Sequence, residues 1–410
     1  MSTKSKAYPS PVEFVILMSM MMSLAALSID AMLPALSQIS RDLNVQNTND
    51  RQLVVSVLFL GLAVGQLFFG PISDKVGRKP AIYAGYTLFI AGSILSILAT
   101  NYPMMLFGRL LQGVGISAPR SVTLALVRDR YEGRAMARVM SLIMTVFILV
   151  PVIAPTMGQA ILLFAGWRSI FGSFVLLVVI TLVWFALRMP ETLSPENRAP
   201  FSLHRIFRTT IEILKIRPAF GYTVIAGLVS GAHLGYLNSA QQVFQEQYAL
   251  GELFPLYFAV IALSLGGASL LNARLVMRFG MRSLVRWSLI MVLVLSITAL
   301  GMVLLTNGQP PLGFLIAYLM AAFFGIGILY GNNNALAMQP LGHIAGIGAA
   351  IVGSISTLIA ILMGMMIGQS YNGTILPLVA GMAILTGLSI VVVYWVEAGT
   401  YYQRIGETAQ

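Results

Sequence analysis

Fourteen acidic residues are spread over 410 positions, and thirteen of them fall in or beside polar, loop-like sequence. Asp42, Asp50, Glu246 and Glu252 belong to one set of loops. Asp74, Asp129, Glu132, Glu191, Glu196, Glu212, Glu397 and Glu407 belong to another, with Glu13 at the mouth of the first apolar run. Asp30 is the exception, because it lies well inside that run. A charge at bilayer depth costs roughly 2.5–3.5 kcal/mol on insertion scales, so an acid there needs a partner or a task. The task open to a lone buried carboxyl is to take up a proton and give it back; the alternative is a structural carboxyl that ties helices together. Arg109 is its candidate companion. Each lies about six residues from the same end of its run, roughly 9 Å below the edge at 1.5 Å per residue. Gln112 follows one turn later on the same face, and Arg120 returns to that face about three turns after Arg109. Arg120 either reaches for the headgroups at the nearer surface or adds a second cation beside Arg109, which would favour neutral or anionic ligands.

These residues need elements that can hold them at depth. Hydrophobic residues make up 58% of the chain and charged residues 10%, against about 25% charged in a soluble domain, so water-exposed surface is scarce. A helix needs about 20 apolar residues to cross a bilayer. Twelve runs qualify, near 12–35, 51–72, 81–100, 104–126, 139–163, 169–188, 219–243, 254–273, 284–306, 311–335, 344–369 and 375–397. The first imitates a signal peptide but runs on without a small-residue cleavage site, and reads as an uncleaved span. The longest polar stretch divides the runs equally, predicting an N-terminal half (1–190), a linker (191–218) and a C-terminal half (219–410). The cations alternate with the loops. One side collects Lys4, Lys6, Lys75, Arg78, Lys79, the arginines from Arg128 to Arg138, Arg188, the linker cations, Arg274 to Arg286 and Arg404. The other side holds only Arg41, Arg51 and Arg168. By the positive-inside rule the first side, with both termini, is cytoplasmic. The net charge of +11 is thus a topological signal, and no nucleic acid partner is expected. The chain has no cysteine, which excludes disulfides and thiolate metal sites. No metal or cofactor is expected, and no phosphate loop or hydrolase motif occurs in a span, so the chain is not read as an enzyme. "KVGRK" (75–79) recurs as "RFGMR" (278–282), an offset expected of two duplicated halves.

The segment "GPISDKVGRKP" (70–80) is a charged interruption between the second and third runs. Gly70 and Gly77 permit tight turns, and Pro71 and Pro80 restrict how helix is left and re-entered. A carboxylate at Asp74 can cap a neighbouring helix start and pair with Arg128 or Arg134, while Lys75 and Lys79 are expected only to set topology. This segment resembles the signature loop of the major facilitator superfamily. "GLAVGQLFFG" (61–70) and "GRLLQGVGISA" (108–118) resemble its drug/proton antiporter branch. "IDAMLPAL" (29–36), "PETL" (190–193) and "PLGHIAGIGAA" (340–350) resemble the Bcr/CflA group of bacterial drug exporters. "LVPVIAPTMGQA" (149–160) resembles the antiporter motif through Pro151, Pro155 and Gly158, with Ala154 and Gln159 standing where the family usually has glycine.

The resemblance implies an all-α membrane protein of twelve transmembrane helices, in two six-helix halves around a central cavity. It further implies a monomer of the bacterial inner membrane that exports small lipophilic drugs in exchange for protons by alternating access. Gly70, Asp74, Gly77, Arg78 and Arg134 would form the gating motif, with Asp30 and Arg109 as the proton-coupling pair. Gln112, Arg120, His233, Tyr236, Gln241, Tyr330, Asn332 and Asn333 would line the substrate cavity as a cluster, although an amide taken singly is more often an interhelical tie than a ligand contact. Export of one endogenous metabolite, such as an anionic siderophore or a sugar, and an uncoupled facilitator that would not need Asp30 are the alternatives.

Overall fold

Apolar runs that cannot leave backbone groups to water must satisfy them internally, and helices do so within one segment. The computed structural model describes residues 9–408, and the described residues form helices and short turns with no strand. Lys4 and Lys6 lie outside the described residues, as do the side chains of Arg404 and Glu407. The chain forms two compact units, Met1–Ser202 and Leu203–Gln410.

The first unit contains α1 (Pro11–Asp30), α2 (Leu36–Asp42), α3 (Leu53–Val76), α4 (Arg78–Ile97), α5 (Tyr102–Arg130) and α6 (Gly133–Arg188). α5 is its hub, packing against α3, α4, α1 and α6, while α1 lies along α6. Local sequence sets the ends. The Ser10 hydroxyl accepts the Glu13 N–H at 3.2 Å to start α1, and the Asn101 side chain accepts Met104 N–H at 2.9 Å to start α5. α1 stops at Asp30, five residues short of the end of the apolar run, because Pro34 lies in the 3-10 turn Leu33–Ala35 that follows. α6 is 56 residues long, and a straight helix of that length would measure about 84 Å against a hydrocarbon core of about 30 Å. Gly166, at φ 71°, breaks it where the sequence separates two runs.

The second unit contains α7 (Leu203–Lys215), α8 (Arg217–Gln241), α9 (Phe254–Phe279), α10 (Met281–Leu305), α11 (Leu312–Met338), α12 (Ala345–Gln369) and α13 (Leu376–Thr408). α8 is its hub, packing on α12, α13, α11 and α7. The predicted linker does not stand apart. Residues 191–202 belong to the first unit, and α7 is folded onto α8 and α12 of the second.

Among the described residues ten helical stretches are long and apolar enough to cross a membrane, where the sequence predicts twelve runs. The difference lies in two continuous stretches, Gly133–Arg188 and Leu312–Gln369, of 56 and 58 residues, each covering two of those runs. The weak internal echo has a backbone counterpart. Gly77 ends α3 and starts α4 at φ 110°, and Gly280 does the same between α9 and α10 at φ 75°. Both are left-handed one-residue joints that glycine adopts without steric cost. The chemistry is not duplicated, since Met277 and Met281 stand where the first half has Asp74 and Arg78.

Candidate functional site

Helix ends explain the first cluster. The last carbonyls of a helix have no partner within it, and a cation there can satisfy them. Arg109 on α5 is fully buried and donates from Nη2 to the carbonyl of Ser28, in the last turn of α1, at 3.0 Å. Its Nε donates to the Val54 carbonyl of α3 at 2.9 Å, and its Nη1 to Gln112 Oε1 at 2.8 Å. Gln112 in turn donates to the Ser93 hydroxyl of α4 at 2.7 Å. α4 reaches this point because Gly92 has no side chain; a Cβ there would meet the Gly108 carbonyl at 2.5 Å and Gln112 Cγ at 3.0 Å. One guanidinium therefore fixes three elements of the unit, and Phe171 of α6 lies 5.8 Å below it. The three donors go to carbonyl and amide oxygens, so the direct Asp30–Arg109 ion pair that equal depth suggested is not formed. Instead the arginine grips the α1 backbone two residues before Asp30.

Asp30 is the final residue of α1 and only 5% exposed. The backbone immediately after it is pressed by α6: Gly158 leaves no room for a Cβ against the Ala31 carbonyl oxygen. Gly158, with Pro155 and Ala154 buried nearby on the same helix, thus meets the chain at the α1 break, and Pro151 lies half-buried a turn earlier. Arg120 is exposed on α5, whereas Arg109 is fully buried.

The charged turn forms the second cluster, all within the first unit. Arg78, 3% exposed, donates to Asp74 at 2.5 Å, to the Ser73 hydroxyl at 2.9 Å and to Asp129, near the end of α5, at 3.0 Å. Asp74 therefore pairs within its own turn, not with Arg128 or Arg134, because the left-handed Gly77 folds Arg78 back over it; Arg134 is exposed. The cap expected of Asp74 comes from Glu191 instead. Its carboxylate accepts the backbone N–H groups of Arg78 and Lys79 at 2.9 and 3.0 Å, opening α4. Lys79 is correspondingly not a solvated topology charge. It donates to the carbonyls of Ala186 and Met189 at 3.2 and 2.6 Å, closing α6. α4 and α6 cap each other, and Thr192 ties the return strand of chain to Asp129 at 2.8 Å. Gly77 is required here for space as well as φ, since a Cβ would lie 2.7 Å from Glu191 Oε2. Gly70 accepts the Ser73 hydroxyl on its carbonyl at 2.8 Å inside the last turns of α3. The sequence held a clue to Glu191, an acid directly after the sixth apolar run, but no clue to its partners.

The second unit holds the third cluster. His233 Nδ1 lies 2.5 Å from the Tyr330 hydroxyl, joining α8 to α11, with Phe323 edge-on at 5.3 Å. Tyr236 is buried between Phe323 at 4.7 Å and Phe258 at 5.7 Å. Asn332 donates to Asn272 of α9 at 2.8 Å and so ties α11 to α9, whereas Gln241 donates to Gln245 at 3.0 Å one turn further along its own helical run. Asn333 differs: it is fully buried, and neither of its amide atoms has a hydrogen-bond partner among the described residues.

Apolar helices of membrane-spanning length, two units sharing a glycine joint at corresponding positions, and polar residues gathered inside the helix packing define a multi-pass integral membrane protein. Residues 18–365 match the Major Facilitator Superfamily, and the chain belongs to that family of transporters. It is 28% identical to the bicyclomycin resistance protein homolog of Haemophilus influenzae, over 95% of this chain and 98% of that protein. It is 28% identical to the multidrug resistance protein MdtL of Escherichia coli, over 79% and 80% of the two chains. It is 29% identical to the uncharacterized MFS-type transporter YdgK of Bacillus subtilis, over 86% and 87%. These relatives agree with the Bcr/CflA-like character of its motifs. The crystal structure of the human organic anion transporter MFSD10 shares the fold, with a TM-score of 0.68 at 15% identity over 95% of this chain and 100% of that one.

Proposed function

We propose that the protein exports small lipophilic compounds from the cytoplasm in exchange for protons. It does so as twelve crossings in two six-helix halves with both termini cytoplasmic. The observation that carries this reading is Asp30, the one acid well inside a span, buried at the end of α1 beside a backbone held by Arg109 and Gly158. A carboxyl so placed can carry one proton across, and the α1 break lets its exposure change without unfolding a continuous helix. Resistance to bicyclomycin and to multiple drugs among the relatives supports a drug-like substrate class. Supporting the anionic-metabolite alternative, Arg120 is exposed on the helix that carries Arg109.

The test is efflux from proteoliposomes under an imposed pH gradient, across a panel that includes bicyclomycin and matched cationic, neutral and anionic compounds. Asp30→Asn is expected to abolish gradient-driven efflux while downhill exchange persists. Full gradient-driven efflux by that variant removes Asp30 from the mechanism and leaves facilitation as the reading. A switch in charge preference on Arg120→Ala favours the anionic alternative.

A further inference from the structure

α7 lies outside the candidate spans, yet it carries bare apolar side chains. Leu203, Phe207, Ile211 and Leu214 are 61%, 65%, 37% and 44% exposed. At about 100° per residue these four fall within an arc of about 80° on one side of the helix. Half-buried Ile206 and buried Thr209 and Ile213 occupy a different arc, the one packed against the unit through α8 and α12. His204, Arg208 and Lys215 border the exposed apolar arc, with Arg205 beyond them, and all four are exposed. The single acid of the helix, Glu212, meets His343 at 2.7 Å. The helix therefore presents three faces: one to its own unit, one apolar and one cationic.

Its height relative to the bilayer follows from its neighbour. α8, a candidate span, begins at Arg217, two residues after α7 ends. Arg217 donates to the Trp395 carbonyl and lies 4.7 Å over the Trp395 ring. Tyr394 and Trp395, 62% and 45% exposed, close the membrane-crossing part of α13, and such aromatic residues gather at headgroup level. α7 is thus tethered at the interface, with apolar residues free to enter the acyl boundary and cations placed among headgroups.

We propose that α7 is an interfacial anchor that docks on anionic lipid headgroups of the leaflet it adjoins. The occupant follows from charge complementarity: an apolar arc alone would accept any lipid, whereas a cationic border with its one acid already engaged selects anionic ones. This does not rest on the proton-exchange reading, because a transporter of any mechanism can be anchored so.

The chain has no cysteine, so a single introduced one reports on a single position. Full-length Phe207→Cys, carrying an environment-sensitive fluorophore, is reconstituted into phosphatidylethanolamine vesicles containing phosphatidylglycerol. Phosphatidylcholine vesicles and detergent micelles serve as comparisons. In the anionic vesicles the label is expected to shift to the blue, to resist iodide and to be quenched by nitroxide-bearing lipid. A label on Arg205→Cys is expected to stay open to iodide. Adding Arg208→Gln and Lys215→Gln is expected to lower the docked-to-undocked ratio about twenty-five-fold, about fivefold for each cation near an anionic surface. Labels at Leu203→Cys and Leu214→Cys repeat the measurement, so that one poorly folding variant does not decide it. Iodide access at the Phe207→Cys label in anionic vesicles equal to that at Arg205→Cys overturns the anchor, and equal shielding in phosphatidylcholine overturns the choice of anionic lipid.

Discussion

Glu191→Ala removes the acceptor on which the start of α4 depends. In the structure the carboxylate takes the N–H groups of Arg78 at 2.9 Å and of Lys79, Thr192 and Leu193 at 3.0 Å each. Thr192 lies at the half-exposed surface, where water can replace the lost oxygen. Arg78 is buried, so its N–H cannot be compensated in that way. Losing a helix cap costs about 0.5–2 kcal/mol, and a hydrogen bond to a charged group contributes about 1.5–3 kcal/mol. Discounting for the Thr192 amide that water rescues, a local loss of about 2–3 kcal/mol is expected. At about 1.4 kcal/mol per decade, amide exchange at Arg78 and Lys79 then accelerates about 30- to 150-fold. The assay is hydrogen exchange by mass spectrometry on the protein in nanodiscs, following peptides that span residues 74–82. Glu191→Gln keeps one acceptor oxygen and is expected to give an intermediate rate. Unchanged exchange at these two amides in Glu191→Ala refutes the capping role, and a rise spread over every helix marks general misfolding instead of a lost cap.

Other substitutions probe the remaining contacts. Arg109→Lys keeps a positive charge but cannot reach Ser28, Val54 and Gln112 together, so stability in detergent should fall by about 1.5–3 kcal/mol for each donor lost, as for hydrogen bonds to a charged group; a stability within error of the parent would show that one donor suffices. Asp74→Asn weakens a pair whose aspartate is 45% exposed, so stability should change by about 1 kcal/mol or less while transport falls sharply with ligand binding retained. Simultaneous loss of binding and fold would rule out that gating role. Gly158→Ala places a methyl against the Ala31 carbonyl and should shift the pH profile of transport more than ligand affinity; an unchanged profile would separate the α6 contact from Asp30.

Much of the protein was legible in one dimension because lipid acts as a uniform solvent. Each crossing must be apolar along its whole length, so spans and their interruptions appear as local composition, and the lone acid at Asp30 stands out by elimination. The joint at Gly77 and its counterpart Gly280 were legible for a similar local reason, since a one-residue turn between helices needs a left-handed residue. The long apolar stretches were less so, because hydropathy marks where a chain is greasy and does not show what the backbone does between two runs, where α6 leaves helical geometry for one residue at Gly166.

Only the tertiary structure decided what the long polar side chains hold. Arg109 reaches carbonyls of α1 and α3, Lys79 closes a helix that ends at Arg188, and Glu191 opens one that begins at Arg78. None of these partners carries a side-chain signal, because the acceptors and donors are backbone groups that every residue possesses. Most of them are available because they lie at helix ends, while the Val54 carbonyl at the start of α3 takes Arg109 as a further donor, and what brings them within reach is the packing of helices far apart in sequence. The same holds for α7, whose pattern of cations and apolar residues was present in the chain. Which apolar arc meets the protein and which is left for lipid was settled by its seat on α8 and α12.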